Sequence, residues 1–199
     1  MNHPDALRWN DRYTTEAEEW LSHSPKRLLM DFIDLIPTSG IALDAAAGVV
    51  TNGLELARKG LYVVALDISW VALHLAKQRF VAQGLRLDAA VYDLAHPWLP
   101  MDYFDVILNF QFLERATFPV YRYALKPGGL IFFQTFVKHP ENPDNPDYYL
   151  EPGELQNAFR GFVILHYGQD RLEKDGGFSR KMTEQIVARK PQSQTGDSL

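Results

Sequence analysis

Three aspartates stand at or just beyond the ends of apolar segments that are spaced like neighbouring strands. Asp44 follows residues 41–43, Asp67 follows residues 62–66, and Asp93 follows residues 85–91. The turn after Asp44 consists of small residues, Ala46 and Gly48 among them, and such a turn lets a ligand approach the backbone closely. Asp67 comes 19 residues after Gly48, about the spacing of roughly 20 at which an acid on a second strand accepts hydrogen bonds from ribose hydroxyls. These residues predict a site for a ligand that carries a ribose.

The segments around these aspartates alternate between strand and helix patterns. Residues 41–44, 62–66, 85–91 and 104–109 are apolar runs, typical of strands buried on both faces of a sheet. One helix is expected to begin after Ser69 as its N-cap and to stop at Gly84, and another to begin at Ser24 and Pro25. Residues 162–167 and 181–188 are expected to form two strands joined by a turn at 176–177. This order predicts an α/β fold with a parallel sheet.

Four motifs carry a resemblance to a known family. They are L-D-A-A-A-G-V-V-T-N-G at residues 43–53, F-D-V-I-L-N-F-Q-F-L-E-R at 104–115, R-Y-A-L-K-P-G-G-L-I-F-F-Q-T-F at 122–136, and W-x-x-R-Y at 9–13. The sequence resembles the class I S-adenosylmethionine-dependent methyltransferases, in particular small bacterial members of the tellurite-resistance type. The resemblance runs from about residue 9 to residue 190.

The resemblance implies a fold and an activity. The fold is Rossmann-like: a seven-stranded, mostly parallel sheet with a C-terminal antiparallel hairpin and helices on both faces. Residues 1–190 would form a single methyltransferase domain, followed by a disordered tail at 191–199. The cofactor would be S-adenosyl-L-methionine, whose methyl group passes to a small-molecule acceptor by in-line displacement. That reaction needs no catalytic nucleophile, because the protein mainly positions the reactants and excludes water.

The resemblance also assigns residues to the cofactor site, which are Asp44, Ala46, Gly48, Asn52, Asp67, Ile68, Asp93, Leu94, Asn109 and Tyr13. Asp93 would accept from the adenine amino group while the backbone of Leu94 meets the ring; the alternative is that Asp93 is a turn acid. The motif at residues 9–13 would lie over the cofactor, or Trp9 and Tyr13 would simply pin their segment to the core. Family members carry glycine at Val50, where a valine is expected to crowd the methionine end of the cofactor.

The acceptor is expected to meet residues that follow the fourth and fifth strands. We expect Phe110, Phe112, Arg115 and Tyr149 to line its pocket. The alternatives are a surface ion pair for Arg115 and core packing for the three aromatics. Residues 138–149 form a long proline-containing loop, which indicates a lid or binding loop.

Composition excludes several classes of protein. The net charge is −5 and no cluster of Lys and Arg is present, which argues against nucleic acid as a partner. The absence of cysteine excludes disulfides, thiolate metal sites and cysteine nucleophiles, and we expect no bound metal. No apolar run approaches the roughly 20 residues of a membrane span, so a cytoplasmic location is expected. The oligomeric state is left open.

Two alternative functions stay open at this point. The first is a catalytically silent domain of the same fold that binds the cofactor weakly or binds a protein partner, as the valine at position 50 suggests. The second is a nicotinamide-dependent enzyme on a dinucleotide-binding fold. That fold requires G-x-G-x-x-G, whereas this turn has Ala46, Gly48 and Thr51 at those positions.

Overall fold

The computed structural model describes residues 3–140, 146, 148–174 and 177–192. A seven-stranded sheet forms its centre, in the order β3-β2-β1-β4-β5-β7-β6. The strands are β1 (Ile41–Ala45), β2 (Tyr62–Asp67), β3 (Leu87–Val91), β4 (Phe104–Phe110), β5 (Leu125–Phe136), β6 (Val163–Lys174) and β7 (Gly177–Arg189). The first five strands pair in parallel, and β7 is antiparallel to both β5 and β6. The predicted α/β fold with its C-terminal antiparallel hairpin is therefore confirmed.

Helices pack on both faces of the sheet. They are α1 (Pro4–Thr15), α2 (Ala17–Ser22), α3 (Arg27–Asp31), α4 (Thr51–Lys59), α5 (Trp70–Ala82), α6 (Thr117–Ala124) and α7 (Glu154–Ala158), with a 3₁₀ turn at Ile33–Leu35. Leu28, Leu54 and Phe80 bring α3, α4 and α5 into the core on one face, which we call the α4 face. Tyr121 and Phe159 bring α6 and the end of α7 into the core on the other face. No helix among the described residues is long and apolar enough to cross a membrane.

Two helix starts show how tertiary contacts decide local structure. Ser69 caps α5 as predicted, and its hydroxyl accepts a hydrogen bond from the Ala72 N–H at 3.2 Å. The predicted cap at Ser24 is wrong, because α3 begins at Arg27 and has no side-chain cap. The backbone of Lys26 is extended, and its N–H donates to Asn52 Oδ1 at 2.8 Å. This long-range bond keeps the backbone before α3 extended, although the local capping signal at Ser24 would have started a helix there.

Several boundaries differ by a few residues from those expected. The N-terminal helix begins at Pro4, five residues before the motif at residues 9–13, with His3 as its cap. Strand β3 begins at Leu87 rather than at residue 85. The expected hairpin turn and the expected C-terminal tail fall largely on residues 175–176 and 193–199, which lie outside the described residues, as do 141–145 and 147 of the proline loop.

A buried carboxylate from the hairpin holds the N-terminus of α7. Glu184 on β7 is fully buried, and its two oxygens accept hydrogen bonds from the Gly153 N–H at 2.7 Å and the Leu155 N–H at 2.9 Å. The side chain of Gln169 on β6 donates to the same carboxylate at 3.2 Å. A negative charge also suits the N-terminal end of a helix. Glu184 therefore fixes how the chain enters α7 after the proline loop.

We expect Glu184→Ala to lower the free energy of unfolding by about 2–4 kcal/mol, because two buried N–H groups would lose a charged acceptor. Urea denaturation followed by circular dichroism measures this loss. The matched control is Glu151→Ala, which removes a largely exposed carboxylate paired with Lys138 and should change stability by less than about 1 kcal/mol. Equal losses in both variants would contradict the assigned role of Glu184.

Candidate active site

The predicted aspartates lie along one edge of the sheet. Strand order places β3, β2 and β1 side by side, with the reversal of order between β1 and β4. Asp67 is the last residue of β2, Asp44 is the penultimate residue of β1, and Asp93 follows β3 by two residues. Ligands of doubly wound sheets bind outside the carboxyl ends of the strands at such a reversal. The edge that holds the three acids is therefore the candidate site.

The turn between β1 and α4 alternates through the left-handed region of the backbone. Ala46, Gly48 and Val50 have φ of 51°, 53° and 57°. These are the three positions at which the family's first motif carries small residues or glycine. A non-glycine residue costs roughly 1–2 kcal/mol in this conformation, and a β-branched residue is a genuine outlier there. The turn has kept this conformation although Val50 replaces the glycine that family members carry at the last of the three positions.

Val50 points into the core and away from the open side of the turn. Its side chain is completely buried in the same cluster as Leu54 and Val63. A Cβ placed on Gly53 would come within 2.7 Å of Val50 Cγ1, so the valine methyls lie beneath the first turn of α4. The adjacent Val49 is the one that packs with Tyr13. The expectation that Val50 would crowd the cofactor is therefore wrong, because the strand-to-helix turn directs its side chain inward.

Asp44 lies beneath the same turn. It is buried, and its Oδ2 accepts a hydrogen bond from the Gly53 N–H at 2.9 Å. Burial raises the pKa of Asp44 to about 8, against the lowering effect of the Gly53 N–H, and the nearby Asp67 raises it further. Asp44 is thus placed to hold the start of α4 in position. A direct contact between Asp44 and the cofactor stays a prediction.

Asp67 holds the other side of the turn. Its Oδ2 accepts from the Gly48 N–H at 2.8 Å, its Oδ1 accepts from the Ser69 N–H at 2.8 Å, and the Ile68 N–H also donates to it. Burial nevertheless raises the pKa of Asp67 above its ordinary value. A carboxylate has about four acceptor positions, so capacity is left for a ligand hydroxyl. The site therefore fits the predicted contact with ribose. The next residue in the chain, Ile68, is half-buried, and its predicted contact with the cofactor stays a prediction.

Asp93 has the contacts of a turn acid. Its Oδ1 accepts from the Ala95 N–H at 2.9 Å, and its Oδ2 lies 3.9 Å from His3 Nε2. Leu94 beside it is buried in the core. The local turn gives Asp93 a structural role, while the predicted roles of Asp93 and Leu94 toward adenine stay predictions.

The two predicted asparagines have partners within the protein. Asn52 accepts from the Lys26 N–H, as described above. Asn109 is fully buried at the end of β4, where its Nδ2 donates to the Phe112 carbonyl at 2.8 Å and its Oδ1 accepts from the Tyr121 hydroxyl at 3.1 Å. Both amides therefore form hydrogen bonds within the protein next to the candidate site. Their predicted contacts with the cofactor stay predictions.

Helix α1 lies over the ends of β3, β2 and β1. His3 at its start is near Asp93, Asn10 in its middle accepts a hydrogen bond from the Ser69 hydroxyl at 2.8 Å, and Tyr13 near its end reaches Gly48. A Cβ on Gly48 would clash with the Tyr13 hydroxyl. Burial raises the pKa of this phenol, and Asp67 contributes to the increase. The helix is a cover over the candidate site; the sequence predicted this position for the motif at residues 9–13 but gave His3 and Asn10 no role.

Aromatic rings join α1 to α2. The ring centroids of Tyr13 lie 5.8 Å from Trp9 and 5.0 Å from Trp20. The guanidinium of Arg12 lies 5.1 Å and 5.2 Å from the two tryptophan centroids, and Glu16 accepts from both Arg12 and Trp20. Trp9 and Tyr13 of the W-x-x-R-Y motif therefore pack against α2 above the turn, and the contact of this motif with the cofactor stays a prediction.

The four residues predicted to bind the acceptor lie in different parts of the structure. Phe110 packs in the core of the α4 face, and Phe112 packs against the core of the opposite face. Arg115 forms an ion pair with Glu154 at the start of α7 and donates to the Tyr149 carbonyl at 3.1 Å, while Tyr149 is buried and stacks on Phe136. Arg115 and Tyr149 thus meet, and together they hold the end of the proline loop. Their contact with an acceptor stays a prediction.

We expect Asp44→Asn to flatten the dependence of stability on pH. Because the carboxyl titrates near 8 when folded and near 4 when unfolded, unfolding releases its proton between these values, and the free energy of unfolding falls as pH rises. The contribution of one such group is at most about 1.4 kcal/mol per pH unit. Urea unfolding at pH 5, 6 and 7 measures the slope. The control Asp88→Asn removes an exposed carboxyl on β3 and should leave the wild-type slope; parallel slopes for all three proteins would contradict the role of Asp44.

We expect Val50→Gly to be more stable than Val50→Ala by about 1 kcal/mol, because glycine relieves the left-handed backbone whereas alanine retains its cost. Thermal and urea unfolding of the two variants measure the difference. At Val49, whose φ is negative, the order should be the ordinary one, with alanine the more stable. The same order at both positions would show that the turn does not hold Val50 in the left-handed region.

Sequence comparison matches the part of the chain that forms this edge to a known domain family. A methyltransferase-domain family matches residues 42–129, which span β1 to the beginning of β5. The ubiquinone biosynthesis O-methyltransferase of Nitrosococcus oceani is 30% identical over 148 residues, which are 68% of this chain and 60% of that protein. The chain thus spans about 60% of the length of that curated relative.

Structural comparison finds solved proteins with a similar fold. TehB from Haemophilus influenzae superposes with a TM-score of 0.71 at 16% identity, over 92% of this chain and 67% of that one. The [4+2]-cyclase SpnF superposes with a TM-score of 0.68 at 18% identity, over 83% of this chain and 80% of that one. At these identities the likeness concerns the fold alone. The sequence match over residues 42–129 and the shared fold together support the resemblance to class I S-adenosylmethionine-dependent methyltransferases.

Proposed function

We propose that the chain transfers a methyl group from S-adenosylmethionine to a small-molecule acceptor. The observation that carries this proposal is the edge itself: Asp67 is bonded to the Gly48 N–H beside the left-handed turn, under a covering helix. When bound, the cofactor supplies an electrophilic methyl group, whose bond to sulfur breaks as the bond to the acceptor forms, with the electron pair left on sulfur. The methyltransferase relative and the matching domain support the choice of cofactor.

The residues of the chain position the donor and exclude water. Asp67 would accept from the ribose hydroxyls, since its carboxylate has acceptor capacity beyond its backbone partners. Gly48 would allow the cofactor close to the backbone, because it carries no side chain. A larger residue at this position would also clash with Tyr13. Helix α1 would shield the methyl group from solvent, as a dry site requires. Since the Tyr13 hydroxyl lies against Gly48, the cover has to shift when the donor enters.

The silent-domain alternative has lost its main support. It rested on Val50 closing the site, and the valine lies in the core instead. The relative from Nitrosococcus oceani is named for O-methylation in ubiquinone biosynthesis, and we take oxygen nucleophiles as the first class of acceptor to test. Nucleic acid is not among the proposed acceptors, because the chain carries a net charge of −5.

We expect S-adenosylmethionine and S-adenosylhomocysteine to bind with micromolar affinity, about 8 kcal/mol. Isothermal titration calorimetry measures this affinity. Asp67→Asn should weaken both ligands by roughly 10- to 100-fold, because ribose hydroxyls lose a charged acceptor worth about 1.5–3 kcal/mol. Asp88→Asn, on the neighbouring strand, is the control and should bind like the wild type. Unchanged binding in a folded Asp67→Asn protein, or no binding by the wild type, would exclude the proposed site.

A further inference from the structure

A cavity of about 240 Å³ lies apart from the three aspartates, between α3 and the β6–β7 hairpin. It opens on the α4 face of the sheet. Since a water molecule takes about 30 Å³ of liquid volume, the cavity has room for a ligand the size of about eight waters. It therefore suits a small molecule with a single ring or a short chain.

The floor of the cavity is a row of polar side chains on three neighbouring strands. Gln134 on β5 donates to Gln185 on β7 at 3.1 Å, and the Gln185 amide nitrogen lies 3.2 Å from His166 Nε2 on β6. Nearer the other end of the same face, β5 and β7 carry Phe132 and Val187 in the apolar core. Each amide has two donors and a carbonyl acceptor, so the row retains hydrogen-bonding capacity beyond its mutual contacts. This row is suited to bind a polar ligand.

The walls of the cavity carry more positive than negative groups. Lys26, Arg27 and Arg171 line it together with Asp31 and Asp170, and Arg27 pairs with Asp31 at 3.3 Å. A positive excess is notable in a chain whose net charge is −5. Guanidinium groups match the geometry of carboxylates, and the local field favours a negative ligand. The ligand that fits the walls is a small anion.

One wall is aromatic. The rings of Phe32 and His166 lie 5.2 Å apart, tilted by 44°, and both line the cavity. Flat π-surfaces of this kind favour ring-shaped ligands, because aromatic pairs gain about 0.5–1.5 kcal/mol beyond the area they bury. The cavity therefore combines a flat wall, a polar floor and a cationic rim.

Two contacts connect the lining of the cavity to residues near the candidate donor site. Lys26 in its wall is bonded through its N–H to Asn52, in the first turn of α4 directly after the donor turn. Gln134 in its floor pairs with Phe110 at the carboxyl end of β4. We propose that this cavity binds the methyl acceptor, and that the acceptor is a small planar anion of the aromatic carboxylate class. This inference rests on the proposed methyl transfer and deepens it by naming the acceptor site.

The first test is calorimetric titration of benzoate into the protein saturated with S-adenosylhomocysteine. We expect benzoate to bind with a dissociation constant of about 1 mM or below. Benzamide, which is planar but neutral, and cyclohexanecarboxylate, which is anionic but not planar, should each bind at least about tenfold more weakly. No binding of benzoate, or equal binding of all three ligands, would overturn the proposal. Titration of S-adenosylhomocysteine alone reports separately on the donor site.

Variants then locate the site. Arg171→Ala and Gln185→Leu should each weaken benzoate at least about tenfold, with binding of S-adenosylhomocysteine unchanged. Arg160→Ala removes an exposed arginine beside α7, outside the cavity lining, and should bind benzoate like the wild type. Unchanged benzoate binding in both cavity variants would overturn the assignment.

The acceptor role is tested by transfer of label from radioactive S-adenosylmethionine to benzoates that carry a hydroxyl or an amino group. Wild type should methylate at least one of them, and Gln185→Leu should lower kcat/KM for it by about tenfold or more. No transfer by a protein that binds the donor, or equal kcat/KM in the variant, would overturn the acceptor role.

Discussion

The active-site edge depends on how two buried aspartate side chains hold one turn of the backbone. Asp44 accepts from the Gly53 N–H below the turn, and Asp67 accepts from the Gly48 N–H at its side. Both acids are buried, so each pays a desolvation penalty, which appears as a raised pKa. The hydrogen bonds offset that penalty by satisfying N–H groups that would otherwise be orphaned at the start of α4. The position of α4 and the shape of the turn follow from these contacts.

Further contacts connect this turn to elements from distant parts of the chain. Above the turn, α1 is tied to the sheet by Asn10 at Ser69 and by Tyr13 at Gly48. At the far side, Glu184 of the hairpin and Arg115 of the segment between β4 and α6 fix the start of α7 and the end of the proline loop. The site is therefore enclosed by elements from both ends of the chain.

The sequence predicted what depends on local pattern. Apolar runs, the Ser69 cap and the spacing of Asp67 gave the strands, α5 and the edge correctly. The inward orientation of Asp44 was also within reach, because strand alternation places it on the same face as Ala42 and opposite Leu43. Contacts across long sequence separations were not predictable: Asn52 overrides the cap at Ser24, and Glu184 reaches Gly153 from 31 residues away. Nothing in a single sequence distinguishes such a glutamate from a solvated one.

Val50 shows why a motif can lose a glycine and keep its geometry. A valine in the left-handed region costs roughly 1–2 kcal/mol relative to an ordinary backbone, but burying its side chain contributes about 1.5–3 kcal/mol. The two effects are of similar size, so the turn retains its shape as long as the side chain can reach the core. It can do so here because Gly53, one helical turn further on, leaves room for the valine methyls. Loss of the third glycine is thus accommodated on the core side of the turn, where it leaves the ligand side unchanged.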